Sequence, residues 1–335
     1  MGEEPGRAGI RRDAGRLAVE GVSLAYRSWV PTACGAGSGA RARALGEAGA
    51  AAPVVLLHGF AQSSGTWEGV AAELARRLGR PAIALDLLGH GASDKPDSDD
   101  PYRYAAQSRQ LAAALREIAR RHGAAPIVVG YSMGGRLALG AVFSEGAPCA
   151  ALILESAGLG PVDGAGRERA ARVAAGNARR LAELGLPRFF DWWEDLPLFA
   201  SQRDLPAEAR ARVRAGRLAN DARALERVLR LAGQDRMPDF RPALAAAPFP
   251  ILYLAGSRDP KYAALAHGAF GDGAVFDHPL DGMFGDGFIF SHFPARGGNG
   301  SVPKRAIVEG AGHDVHLEDP HAFIAVVTAF LQGIG

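Results

Sequence analysis

Residues 130–136 read Gly-Tyr-Ser-Met-Gly-Gly-Arg and follow directly on the apolar run Ala125-Pro126-Ile127-Val128-Val129. A Gly-x-Ser-x-Gly between a β-branched run and a helical segment forms a nucleophile elbow, a tight strand-to-helix turn that lifts one hydroxyl above the end of a sheet. Ser132 carries that hydroxyl. Gly130 and Gly134 are required because the turn brings backbone and neighbouring strand so close that a Cβ would collide. Five residues alone carry little weight in a chain with 44 glycines among 335 residues, so the flanking segments decide the meaning of the pattern.

Those segments alternate. From Pro53 onward, Val54 to Leu57, Ala82 to Asp86, Ile127 to Gly130 and Ala151 to Glu155 read as strands. Between them Trp67 to Leu78, Tyr102 to Arg121 and Gly134 to Phe143 read as helices, with Leu111, Leu115 and Ile118 on one stripe. The strand runs are continuously apolar, as parallel strands covered on both faces must be. Upstream, Arg16 to Val30 alternates around Glu20-Gly21 and predicts two short antiparallel strands. Residues 31–52 are mostly Ala, Gly and Arg and cannot bury enough apolar surface to order themselves. Residues 163–241 break the rhythm, being helix-like throughout with joints at Pro187, Pro197 and Pro206. Strand patterning returns at Pro250-Ile-Leu-Tyr-Leu and Arg305-Ala-Ile-Val-Glu, and a helix from Pro320 to Leu331 closes the chain. Residues 271–302, rich in Gly, Phe and Asp, show no assignable period and read as a surface loop or a flap. The expected architecture is α/β, a mostly parallel twisted sheet with helices on both faces and a helical cap insertion. Its divisions are N-terminal hairpin strands and a flexible insert over 1–52, a core over 53–162 and 242–335, and the cap over 163–241.

Composition excludes several classes of function. Thirty-eight Lys and Arg against 36 Asp and Glu give no global field for nucleic acid or an anionic membrane. Only Cys34 and Cys149 are present, so no disulfide framework is expected and a reducing compartment is favoured. The first sixteen residues mix Glu3, Glu4, Asp13 and several Arg without an apolar stretch, unlike a secretory signal. No run approaches the ~18 apolar residues of a membrane span. A cytoplasmic protein is expected, or a plastid one if the source is a photosynthetic eukaryote; oligomeric state is open.

A serine hydroxyl needs a histidine to take its proton and an acid to fix the imidazole tautomer. In the α/β-hydrolase order both follow the serine, each on a loop after a late strand. Gly256-Ser-Arg-Asp259 follows Ile251 to Ala255, and Gly310-Ala-Gly-His313 follows Ala306 to Glu309. Ser132, Asp259 and His313 are therefore the candidate triad. The backbone N–H groups of Met133 and Phe60, the latter in Leu57-His-Gly-Phe60, are the candidate oxyanion hole. Asp86-Leu-Leu-Gly-His-Gly-x-Ser93 closes the next strand, and His58 and His90 are expected to stabilise loops. His313 and His316 could suggest a metal site, but no carboxylate or third histidine of ligand spacing accompanies them, so neither metal nor cofactor is expected. Asp314 and Glu318 read as helix-start residues.

Residues 165–241 hold 16 Arg, 11 acids and no Lys. Most of these arginines are expected on solvated helix faces. Arg136 differs, because it lies one helical turn beyond Ser132, where a guanidinium fits a carboxylate through its planar fork. That implies an acidic substrate.

Further motifs extend the pattern: Ile153-Leu-Glu-Ser156, Arg169-Ala-Ala-Arg172, Phe190-Asp-Trp-Trp193, Pro197-Leu-Phe199, Arg217-x-x-Asn220 and Gly256-Ser-Arg-Asp-Pro-Lys261. With the elbow, the His-Gly-Phe loop and Gly310 to His313, they resemble the 2-succinyl-6-hydroxy-2,4-cyclohexadiene-1-carboxylate synthase (MenH) family of menaquinone and phylloquinone biosynthesis, from about Pro53 to the C-terminus. The resemblance implies a polycarboxylate small-molecule substrate, 2-succinyl-5-enolpyruvyl-6-hydroxy-3-cyclohexene-1-carboxylate, from which pyruvate is eliminated with Ser132 as base. It also implies that Arg136, Arg172 and Arg217 hold carboxylates while Tyr131, Trp192 and Lys261 line the site. The family pattern has Pro where Leu88 stands, and it lacks the segments 31–52 and 271–302. Two rival readings are a hydrolase of a carboxylated ester or ring-cleavage carbon–carbon bond, and a triad-bearing receptor for an acidic small molecule.

Overall fold

The computed structural model describes residues 9–32, 51–270, 288–291 and 303–334. The expected insert falls mostly outside the described residues, as do Cys34 and most of 271–302. The strands are β1 (Ile10–Val19), β2 (Val22–Pro31), β3 (Val54–Leu57), β4 (Ala82–Leu85), β5 (Ile127–Tyr131), β6 (Ala151–Glu155), β7 (Ile251–Gly256), β8 (Phe288–Ser291) and β9 (Lys304–Val308). They form a nine-stranded sheet in the order β1-β2-β4-β3-β5-β6-β7-β9-β8. The six central strands are parallel, and antiparallel pairing occurs where β2 meets β1 and β4 and where β8 meets β9.

The hairpin turns where expected. Glu20 (φ 47°) and Gly21 (φ 77°) both take positive φ, the two-residue geometry whose twist matches its strands. In the central strands, successive side chains divide between two cores. Val55, Leu57, Ile83, Leu85, Leu152 and Leu154 meet Leu111, Leu115, Ile118 and Leu137 on one face. Val54, Leu56, Ala82, Ala84, Ala151 and Ile153 meet Val70, Leu74, Phe323 and Val327 on the other. Both sides of each strand are therefore dry, which is the physical reason the runs are unbroken in hydrophobicity.

Between β6 and β7 the chain forms helices Gly164–Glu194, Ala207–Leu218, Ala222–Leu231 and Arg241–Ala245. The bend expected at Pro187 lies two residues earlier, at Gly185 (φ 67°, ψ 171°), a conformation that favours glycine. Pro187 then stands in the first turn after the bend, where its missing N–H costs least. Phe189, Phe190, Leu181 and Leu225 form a small apolar cluster that closes over Ala61. Helices Ala222–Leu231 and Arg241–Ala245 are tied to the body by polar contacts: Arg230 pairs with Asp99 at 2.9 Å, and Arg241 donates to the Gly160 carbonyl at 3.0 Å. β8 occupies the sheet edge within a stretch that showed no period. No helix among the described residues is long and apolar enough to cross a membrane.

Candidate active site

The six parallel strands deliver their carboxyl ends to one rim, and Ser132, Asp259 and His313 lie on the turns that follow three of them. At the end of β5, Ser132 adopts φ 48° and ψ −107°, a strained conformation for a non-glycine residue. Its N–H is held by the Glu155 carbonyl at 2.8 Å. A Cβ at Gly134 would stand 2.5 Å from the Leu57 carbonyl oxygen, and one at Gly130 would stand 2.5 Å from the Gly135 Cα. The helix Met133–Leu139 begins immediately afterwards, so the Met133 N–H has no partner within its helix.

Asp259 lies on the turn that follows β7 and directly precedes the helix Pro260–Phe270. Its Oδ1 accepts the Tyr262 N–H at 3.2 Å, which leaves Oδ2 to accept from His313 Nδ1 at 2.6 Å. His313 Nε2 lies 3.1 Å from Ser132 Oγ. Proton placement follows: with Nδ1–H given to Asp259, Nε2 accepts the serine proton. The structure thus brings Ser132, His313 and Asp259 into one hydrogen-bonded line, with His313 and Asp259 2% exposed.

The His58-Gly-Phe60 loop covers Tyr131. Gly59 has no room for a Cβ because the Tyr131 ring fills that space. Tyr131 in turn meets the His313 ring at 5.4 Å. Burial raises its phenol well above the usual pKa of 10.0, so it stays neutral. His58 is a fastener, as expected: its Nε2 accepts the Leu87 N–H at 3.0 Å and Nδ1 donates to the Gly59 carbonyl at 2.7 Å. His90 lies beside it at 5.0 Å.

Burial lowers both imidazoles below 6.5, His90 far below. In the fold these groups take up a proton less readily than in the unfolded chain, so their stabilisation is complete above pH 6.5 and is lost as pH falls. The urea midpoint should therefore drop between pH 7 and 5. His90→Asn should flatten that drop, by up to ~1.4 kcal/mol per pH unit; an unchanged slope would mean His90 protonates freely in the folded protein.

The cationic and aromatic candidates separate into two groups. Arg136 stays close: burial lowers its pKa, with Tyr262, Tyr104 and Asp235 as opposing surroundings. One guanidinium N–H reaches the Ala232 carbonyl at 2.9 Å, and no ion pair among the described residues includes it. Arg217 is the buried one of the sixteen cap arginines, and it lies over Phe199, whose ring meets His313 at 5.8 Å. It is already engaged by Glu194 at 2.9 Å and Gln202 at 3.1 Å. Arg172 stands apart with its side chain 69% exposed and only Glu168 at 3.8 Å. Trp192 packs under the Arg180 guanidinium at 4.0 Å, while its neighbour Trp193 bridges Phe60 and Phe199. Lys261 is exposed and stands 4.8 Å from the Tyr262 ring.

Sequence reading missed Tyr262, which lies 4.9 Å from the His313 ring and is approached by Gln234 at 3.4 Å. Its signal was its place three residues after an Asp-Pro helix start. His316 is not bare, contrary to the sequence expectation that no carboxylate accompanies the two histidines. The fold brings Glu155 from β6 to 2.8 Å from its Nδ1, and Asp314 to 3.1 Å. Asp314 does not cap the following helix through its side chain, because that carboxylate is turned inward. Glu318 instead folds back to accept the Gly312 N–H at 2.7 Å.

Fold and site together define an enzyme of the α/β-hydrolase family, whose model, described as alpha/beta hydrolase family, matches residues 54–326. A Bacillus subtilis (strain 168) protein named putative 2-succinyl-6-hydroxy-2,4-cyclohexadiene-1-carboxylate synthase is 32% identical over 84% of this chain and 90% of its own length. The synthase of that name from Enterobacter sp. (strain 638) is 26% identical over 83% of this chain and 91% of its own. The solved structure of MenH from S. aureus matches with a TM-score of 0.69 at 27% identity, covering 84% of this chain and 94% of that one. Within the hydrolases, the chain belongs to the 2-succinyl-6-hydroxy-2,4-cyclohexadiene-1-carboxylate synthase family.

Proposed function

We propose that this protein is a carbon–oxygen lyase that eliminates pyruvate from 2-succinyl-5-enolpyruvyl-6-hydroxy-3-cyclohexene-1-carboxylate, in the cytoplasm, as a step of menaquinone or phylloquinone biosynthesis. Ser132, relieved of its proton by His313, removes a ring proton. The electron pair released from that C–H bond shifts through the ring to make the conjugated diene, and the C–O bond to the enolpyruvyl group breaks. The leaving enolpyruvate takes up a proton and becomes pyruvate. No acyl-enzyme forms. The Met133 and Phe60 amides are the donors for the negative charge that develops on the substrate. Asp259 holds the imidazole tautomer and stabilises the imidazolium.

The observation that carries this reading is Arg136. A guanidinium with five donors that is partly drawn from water and given one carbonyl is under-satisfied. A substrate carboxylate one turn from Ser132 would complete it, whereas an apolar ester would leave it wanting. Lys261 is a further candidate to meet a carboxylate, and Arg217 becomes one only where substrate displaces Glu194 or Gln202. Tyr131 backs the triad from beneath the Phe60 loop, and Trp193 rather than Trp192 faces that loop. Arg172 serves only if its helix presents it to bound substrate. The test is pyruvate release from the synthase substrate, compared with a panel of carboxylated esters and ring-cleavage diketones. Pyruvate release with kcat/KM at least ~100-fold above any panel member is expected, given ordinary enzyme efficiencies. Preference for an ester or a diketone would replace the lyase with a hydrolase.

A further inference from the structure

We propose that Gln62, Asp314, His316 and Glu155 form a buried positioning chain that fixes the oxyanion loop, the histidine loop and the nucleophile elbow to one another. It acts on the triad proposed above, through any substrate, and none of its side chains is itself in that triad.

The links can be followed atom by atom. The Gly59 N–H, on the loop that carries Phe60, donates to Gln62 Oε1 at 3.1 Å. Gln62 Nε2 donates to Asp314 Oδ2 at 2.6 Å. Asp314 directly follows His313, and its Oδ1 lies 3.1 Å from His316 Nδ1. That same Nδ1–H points at Glu155 Oε2, at 2.8 Å, while the His316 backbone N–H donates to Glu155 Oε1 at 2.9 Å. Glu155 therefore grips His316 through both oxygens. Its own carbonyl accepts the Ser132 N–H at 2.8 Å, and it is the register partner of Tyr131. One residue thus holds the histidine loop with its side chain and the elbow with its backbone.

Each link is dry: Gln62 is 6% exposed, His316 2%, and Asp314 and Glu155 0%. The His316 ring is also stacked on Trp67 at 3.7 Å and 15°, so it cannot turn to find another partner. Burial opposes an imidazolium here, but Asp314 and Glu155 outweigh it and raise the His316 pKa above 6.5. A ring held between Glu155 and Asp314 and stacked on Trp67 is a rigid hinge pin, since removing one partner leaves an unpaired buried group. Such rigidity matters because a sub-ångström misplacement of base against nucleophile costs rate rather than binding.

The probe is a fluorophosphonate that labels an activated serine whatever the natural substrate, so the result stands apart from the pyruvate assay. Glu155→Gln keeps shape and one acceptor but turns an amide toward Nδ1. Gln62→Leu leaves Glu155 and His316 untouched while cutting the link to Gly59. The full-length variants should remain folded, with urea midpoints lowered because each leaves a buried polar group unpaired, yet label Ser132 at least tenfold more slowly. Where a midpoint drops, labelling is read below the unfolding transition, per folded molecule. Labelling at the wild-type rate in folded Glu155→Gln would reduce the chain to a merely structural one. An effect in Glu155→Gln but not in Gln62→Leu would also overturn a chain spanning all three loops. So would one equivalent of tightly bound transition metal whose removal slows labelling, because the cluster would then serve the metal.

Discussion

Ser132→Ala is expected to lower kcat by on the order of 10⁴-fold or more with little change in KM, and Asp259→Asn to fall to a similar level. The two losses have different causes. Alanine removes the alkoxide that takes the ring proton. Asparagine keeps the 2.6 Å contact to His313 Nδ1 but presents an amide that can favour the wrong imidazole tautomer. The combined variant should be no slower than the worse single one, since the three groups act as a unit. Steady-state rates with the folded state checked by urea unfolding decide the matter. Loss below tenfold in either variant would remove the triad from the chemistry.

Arg136→Ala should lower kcat/KM by at least ~100-fold, about 2.7 kcal/mol of transition-state stabilisation. Loss of one partner from a desolvated charged hydrogen-bonded pair is worth 2–5 kcal/mol or so. Arg179, exposed on the long cap helix, is the comparison, and Arg179→Ala should change kcat/KM less than about twofold, as surface changes do. Arg136→Lys should recover only part of the loss, because a point charge cannot reproduce the planar fork. Equal losses at 136 and 179 would mean that the substrate meets the outer face of the cap.

Much of this site could be read in the sequence, because its parts are local turns at strand ends. The elbow needs glycine at positions 130 and 134 for steric reasons that hold in any such turn. Asp259-Pro260 is a helix start, and Gly310 to His313 is a turn after a strand. Chain order then places three side chains on one rim. The unbroken apolar strands likewise announced a sheet covered on both faces, because each residue must satisfy one dry core or the other.

What the sequence concealed depends on contacts between distant segments. Glu155 reads as the polar end of an apolar strand, and only the β5–β6 register reveals that it grips His316 and holds Ser132. Which of two adjacent tryptophans faces the Phe60 loop depends on helix phase after the Gly185 bend, and the structure turns Trp193 toward it. The cap arginines could be counted but not assigned. Arg217 spends its fork on Glu194 and Gln202, and Arg230 spends its own on Asp99. β8 was hidden because four residues of a sheet edge give too few alternations to stand out from a Gly-rich stretch.

The most direct test of the central claim replaces the ring hydrogen that Ser132 should abstract with deuterium and follows pyruvate release while the intact protein mass is recorded during turnover. Base-driven elimination predicts a primary isotope effect of several-fold on the chemical step and a protein mass that never changes. A covalent adduct on Ser132 during turnover, with release of pyruvate indifferent to the label in single-turnover runs, would contradict it.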